Sequence, residues 1–289
     1  MGTVIGSIFG GGLVTIFGWQ HLNADEIAKN LDGTFNNLNE IIQGAVDLVT
    51  KPLDSLSGIW TIIASVHVAI LPIGYSLLTL FFLLGLINRS MSFRIIRIED
   101  IVRLLIRLII AKAVMERSFD LLNMIYNMSM EAIFSVDISV ESIRIVDTAA
   151  LAEQISEMNL IERILFQSQF TPISIVSFVL NIMVFVICYG RILELCAYTA
   201  LSPIPLAALS SEDYAGSTKR FFQHYVAICL QGLIIVLVGM LFGGLAKTLL
   251  TNVGENADFG IGTSIALSIM LILVLSKSEA WAGKITGVN

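Results

Sequence analysis

Arg191 and Glu194 stand three residues apart inside a long apolar run, and charge in such a place is where chemistry is sought first. On a helix this spacing puts both side chains on one face, where a guanidinium and a carboxylate can meet. The pair reads either as a coupled ion pair on a proton or substrate pathway, or as a structural tie between this helix and its neighbours. Its place about two turns before Leu201, within snorkelling distance of a membrane boundary, favours the tie. Arg103 and Arg107 also share a face, with Glu99 one turn ahead of Arg103 in the favourable order. Near a membrane boundary such arginines reach lipid phosphates or a partner's carboxylate. The series stops too soon for a voltage sensor. His67 lies in a different apolar run with no second titratable group, the setting of a packed, hydrogen-bonded histidine rather than a proton relay.

Other chemistry finds no residues to carry it. Cys188, Cys196 and Cys229 all fall in apolar runs, lack CxxC or Cys/His spacing, and read as small hydrophobes. There is no glycine-rich phosphate loop, HExxH, GxSxG or DxDxDG-type loop, so no enzyme, metal or cofactor is expected. A net charge of -6 argues against a nucleic-acid surface.

The elements that must position these residues are helices in a bilayer. Apolar residues make up 56% of the chain and charged residues only 14%, too little polar surface for a soluble protein of this length. Five apolar segments follow one another: Ile59 to Ile87, Ile101 to Met115, Pro172 to Leu201, Val226 to Leu250 and Ile261 to Leu275. About 20 residues cross a bilayer core, which leaves the second and fifth short. Lysines and arginines collect on the cytoplasmic side of membrane proteins. Here Arg89, Arg94, Arg97 and Arg103 follow the first segment, Lys219 and Arg220 the third, and Lys277 and Lys284 the fifth, alternating with connections poor in bases. This predicts an all-α polytopic protein of about five spans, N-terminus outside and C-terminus inside.

Ahead of the spans, Gly2, Gly6 and Gly10 recur every fourth residue and would give a helix a smooth face for close packing. The stretch from Met1 to Trp19 lacks a charged n-region and is a poor cleavable signal. Leu31, Phe35, Leu38, Ile41, Ile42, Ala45, Val46 and Val49 form one face of an amphipathic helix whose polar positions are mostly acidic, which suits a protein partner better than anionic headgroups. The resulting division is 1–57 outside, 58–118 with two spans and a basic inner loop, 119–169 as an acidic outer segment, 170–276 with three spans, and 277–289 as an inner tail. In the outer segment Leu121, Met124, Ile125 and Met128 continue a helical stripe, Ala149 to Ile161 reads as a short amphipathic helix, and an alternating run at Val136 to Ile145 could be extended. Ser202, Pro203, Ile204 and Pro205 end the third span.

Tyr189-Gly190-Arg191-Ile192-Leu193-Glu194, then Ala200 to Pro205, then Phe221 to Tyr225 leading to Leu230-Gln231-Gly232, resembles the TrbL-like family, with the stretch Ile173 to Gly244 covered. These are polytopic inner-membrane subunits of conjugative type IV secretion systems, especially those of Gram-positive mobile elements. The resemblance implies a bacterial cytoplasmic-membrane protein without catalysis, assembled as a homo-oligomeric ring. Its implied partners are the transfer ATPases and other secretion subunits, with DNA and protein passed outward. It makes Arg191, Glu194, Pro203 and Pro205 architectural. The alternative reading is a secondary transporter or small ion channel using Arg191 and Glu194, although no internal repeat of the kind such transporters carry is seen.

Overall fold

The computed structural model describes residues 40–52, 57–91, 98–135, 160–251 and 257–288. Helix dominates them and no strand occurs among them. In chain order they are α1, described over residues 40–49, α2 (Ser57–Met91), α3 (Ile98–Glu116), α4 (Ser118–Phe134), α5 (Leu160–Leu201), the short α6 (Pro203–Ala207) with a 3-10 turn at Ala208–Ser210, α7 (Ala215–Thr251), α8 (Ala257–Ser276) and α9 (Ser278–Thr286). Gly2, Gly6, Gly10, the start of the amphipathic helix, the Val136 to Ile145 run and most of Ala149 to Ile161 lie outside the described residues.

Four stretches are long and apolar enough to cross a membrane: Gly58–Met91, Ile175–Leu201, Ala215–Leu245 and Ile265–Thr286. They correspond to the first, third, fourth and fifth expected spans. The last runs on through α9, because only Lys277 interrupts the helix and its N–H still bonds the Val274 carbonyl at 3.1 Å. The second expected span, Ile101 to Met115, lies in the 19-residue α3, whose acids and bases keep it out of that group.

The chain divides into two compact units. The first takes Met1–Val49, Asp137–Tyr189 and Ile234–Ser278. Within it Ile41, Ile42, Ala45, Val46 and Val49 of α1 are buried. A side chain at Gly239 of α7 would meet Ile42 at 3.1 Å, so the glycine is what lets α1 approach. The Sγ of Cys188 sits 4.0 Å from the Ala45 carbonyl oxygen of α1. The apolar face of this end of the amphipathic helix is thus covered by the chain's own helices. Glu40 and Asp47 remain exposed.

The second unit takes Thr50–Val136, Gly190–Leu233 and Glu279–Asn289. Its axis is α2, whose buried face repeats as Ile63, His67, Gly74, Leu78 and Gly85, the spacing of one helical stripe. Along that stripe α3 and α4 run antiparallel to α2. Tyr75 donates to Glu116 at 3.1 Å, Trp60 packs its ring 4.8 Å from that of Phe119, and Tyr126 donates to the Lys51 carbonyl at 2.8 Å. The antiparallel partner of α2 therefore continues past Met115, through a one-residue irregularity at Arg117, as far as Tyr126. The helical stripe expected beyond Met115 is present as α4, but its buried face is Leu122, Tyr126, Met130 and Ile133, while Met124 and Met128 are exposed. Period alone gave the helix; the neighbours of α4 chose which side to cover.

The third helix of this layer is α6. A Cβ at Gly74 would stand 2.9 Å from Pro203 Cβ and 3.0 Å from Met115 Sδ, so only glycine admits both. Beside it Leu78, Ala111, Met115 and Ala207 form a core with Leu71, Tyr75 and Phe81 around it. Burying such a leucine or methionine contributes about 1.5–3 kcal/mol in water, and close packing replaces that term within lipid.

Candidate functional site

Two clusters of polar side chains are buried in the second unit. At the first, Arg191 leaves α5 and inserts against α7, only 2% exposed. Its Nε donates to the Ile228 carbonyl at 2.9 Å and one terminal nitrogen to the Cys229 carbonyl at 3.4 Å. A helical carbonyl already accepts from the residue four further on, and its second lone pair is free to take a side-chain donor. Gly232 makes the approach possible, since any Cβ there would collide with the guanidinium. From α4, Ser129 donates to the same Cys229 carbonyl at 3.0 Å. Three helices are joined at one turn of α7.

Glu194 does not take part. It is half-buried one turn on, and among the described residues no ion pair joins it to Arg191. The charged and polar groups acting on it are Glu279 of α9 and His224 of α7. The expected Arg191–Glu194 tie is replaced by a tie from Arg191 to the backbone of α7, because the helix rotation that buries Arg191 turns Glu194 toward the α9 side.

At the second place His67, 4% exposed, lies between two helix breaks. Its Nε2 is 3.5 Å from the hydroxyl of Ser118, the first residue of α4, and its Nδ1 3.5 Å from that of Ser202, the residue before α6. The two hydroxyls are 3.1 Å apart. Ser118 also reaches the Met115 carbonyl at 2.8 Å and Ser202 the Thr199 carbonyl at 3.0 Å. Thr199 continues the network to Tyr225, 3.4 Å between hydroxyls, and Tyr225 donates to the Leu122 carbonyl at 3.1 Å. The packed, hydrogen-bonded histidine expected from the sequence is what the fold contains.

The remaining expected residues are placed as follows. Pro203 is buried against Gly74, and the Pro205 carbonyl accepts from Thr218 at 2.7 Å. Arg107 finds its carboxylate within the chain: Glu212 lies 3.0 Å from it and 2.6 Å from Arg89. Arg103 is exposed. Nearby, Asn88 donates to Asp213 at 3.0 Å and the Phe81 and Tyr214 rings lie 5.0 Å apart. Sequence reasoning missed Ser118, Ser202 as a partner of His67, and Glu212. A serine at each end of an interrupted helix was the signal for the first two, and nothing local marked Glu212 as the acceptor of two arginines.

Long apolar helices with buried polar side chains spent on one another define a polytopic α-helical membrane protein. Residues 38–203 match the family described as TrbL/VirB6 plasmid conjugal transfer like protein. That is more than half of the chain, and the chain belongs to this family: it is a component of conjugal transfer, a type IV secretion process. The match includes Arg191 and Pro203, extends far to the N-terminal side of the Ile173 boundary read from the motifs, and ends before Phe221 to Gly232. Gln231-Gly232 therefore gains its meaning from the contact between Gly232 and Arg191. Neither curated proteins nor solved structures gave a match.

Proposed function

We propose that this protein is a structural channel subunit of a conjugative type IV secretion machine in the bacterial cytoplasmic membrane. In this reading it forms a homo-oligomeric ring, contacts the transfer ATPases and other secretion subunits, and supports outward passage of DNA and protein without catalysing a reaction. The observation that carries the reading, beside family membership, is how the charge inside the span is used. Arg191 holds backbone carbonyls of a neighbouring helix, which suits a scaffold. The distribution of bases supports an external N-terminus and an internal C-terminus, with α3 and α4 together as the additional crossing. The exposed Val102, Leu105, Ile106, Ile109 and Ile110 of α3 suit contact with lipid.

Deleting the gene cleanly is expected to abolish conjugal transfer, and complementation to restore it. A C-terminally tagged chain, extracted in mild detergent, is expected to bring down secretion ATPases in a large particle. Normal transfer in the deletion strain would overturn the proposal. The interrupted helices at Arg117 and Ser202 are the feature a transporter would use. Solute uptake by liposomes holding the purified chain, abolished by Glu194→Gln, would establish that reading instead.

A further inference from the structure

The helix breaks that meet at His67 impose a count of protons. α5 ends in Ser-Pro-Ile-Pro, and Pro203 lacks the N–H that would have bonded the Thr199 carbonyl four residues back. That carbonyl takes the Ser202 hydroxyl hydrogen instead, at 3.0 Å. At the other break, Ser118 gives its hydrogen to the Met115 carbonyl at 2.8 Å. Each serine has one hydrogen: that of Ser118 goes to its own helix, and that of Ser202 has the Thr199 carbonyl at 3.0 Å and the Ser118 oxygen at 3.1 Å as acceptors. Toward His67 the two hydroxyl oxygens can then only accept. An imidazole that donates from both nitrogens is an imidazolium; a neutral ring has one donor and one acceptor. When the ring is neutral, its acceptor nitrogen is satisfied only if one serine turns its hydrogen to it, away from a helix carbonyl or from the other serine, and the breaks together lose a bond.

We propose that His67 is a proton-binding site that sets how firmly the α3–α4 break and the α5–α6 break are held. Protonated, it donates to Ser118 and Ser202 together and both back-bonds stand. Deprotonated, it releases one of them. From α5 the Thr199 and Ala200 carbonyls act on the ring, at the end of the helix where its dipole is negative, whereas burial opposes a charge on it. From α4 the Phe119 ring packs at 5.5 Å, and Asp120 is the one charged group among the described residues whose field acts on the ring. From α2 no ionisable side chain acts on it, and Tyr75 of that helix is bonded to Glu116 of α3. From α7 Tyr225 reaches it only through Thr199. The site stands independently of the secretion reading, since it rests on hydrogen-bond geometry within one unit.

The test uses the full chain in lipid nanodiscs with 15N-labelled histidine, the His67 signals assigned by their loss in His67→Gln. Between about pH 5 and 8, where histidine ordinarily titrates, the ring is expected to pass from one protonated nitrogen to two as pH falls. Amide exchange at residues 118–121 and 202–206, taken relative to its intrinsic rate at each pH, is expected to slow severalfold as the ring takes up its second proton, and to lose that dependence in His67→Gln. Should that variant not fold, Ser118→Ala keeps the ring and removes one acceptor. It is expected to lose the pH dependence at 118–121 while retaining it at 202–206. A ring that stays neutral across the interval, or that titrates while exchange at both breaks is unchanged, overturns the proposal.

Discussion

Replacing Gly232 with alanine inserts one carbon where the Arg191 guanidinium lies, against three of its atoms. Both helices are held by neighbours, so the guanidinium must move, and overpacking of a well-filled site costs about 1–3 kcal/mol. Moving it also breaks the bonds to the Ile228 and Cys229 carbonyls. Polar contacts between helices in membranes are measured at about 0.6 kcal/mol on average and up to about 1.7. Two of them bring the expected loss for Gly232→Ala to about 2–6 kcal/mol. The opposing term is helix propensity, since alanine is better than glycine by about 1 kcal/mol. In an Arg191→Ala background the obstacle is gone and only that term remains, so the same substitution is expected to stabilise. The assay is reversible unfolding in mixed micelles for the four chains of the cycle, followed by circular dichroism. If Gly232→Ala has the same sign and size in both backgrounds, the contact between Arg191 and α7 is not what the glycine serves.

Val46→Asp places a carboxylate on the buried face of α1 and is expected to destabilise the chain by several kcal/mol, whereas Gln43→Ala on the exposed face is expected to be near neutral; thermal melts of purified protein compare the two. Glu212→Gln removes the carboxylate shared by Arg89 and Arg107, but that side chain is 50% exposed, so the expected cost is about 1 kcal/mol or less and vanishes in high salt, as melts at two ionic strengths would show.

How much of this was legible beforehand differs from residue to residue. The four apolar stretches declare themselves by length and composition, because lipid tolerates few unpaired polar groups and the sequence must comply over a whole span. α3 declares itself less clearly. Its charges hide it from a hydropathy reading, while its place beside α2 depends on Tyr75 and Leu78, far away in the chain. The amphipathic face of Ile41, Ile42, Ala45, Val46 and Val49 was visible as a period; what covers it was not. Arg191 stood out because a buried charge is rare, yet local spacing pointed to Glu194, three residues on.

By itself the sequence determined the long helices, the apolar face of α1, the proline break after Leu201 and the family to which the chain belongs. These follow from local periods, backbone chemistry and solvent, all of which act along the chain. Tertiary structure alone decided that Arg191 bonds α7 rather than Glu194, that one carboxylate at Glu212 holds two arginines, and that His67 sits between Ser118 and Ser202. Such pairings depend on how each helix is rotated about its axis, and that rotation is set by the packing of glycines 74 and 232 against distant side chains.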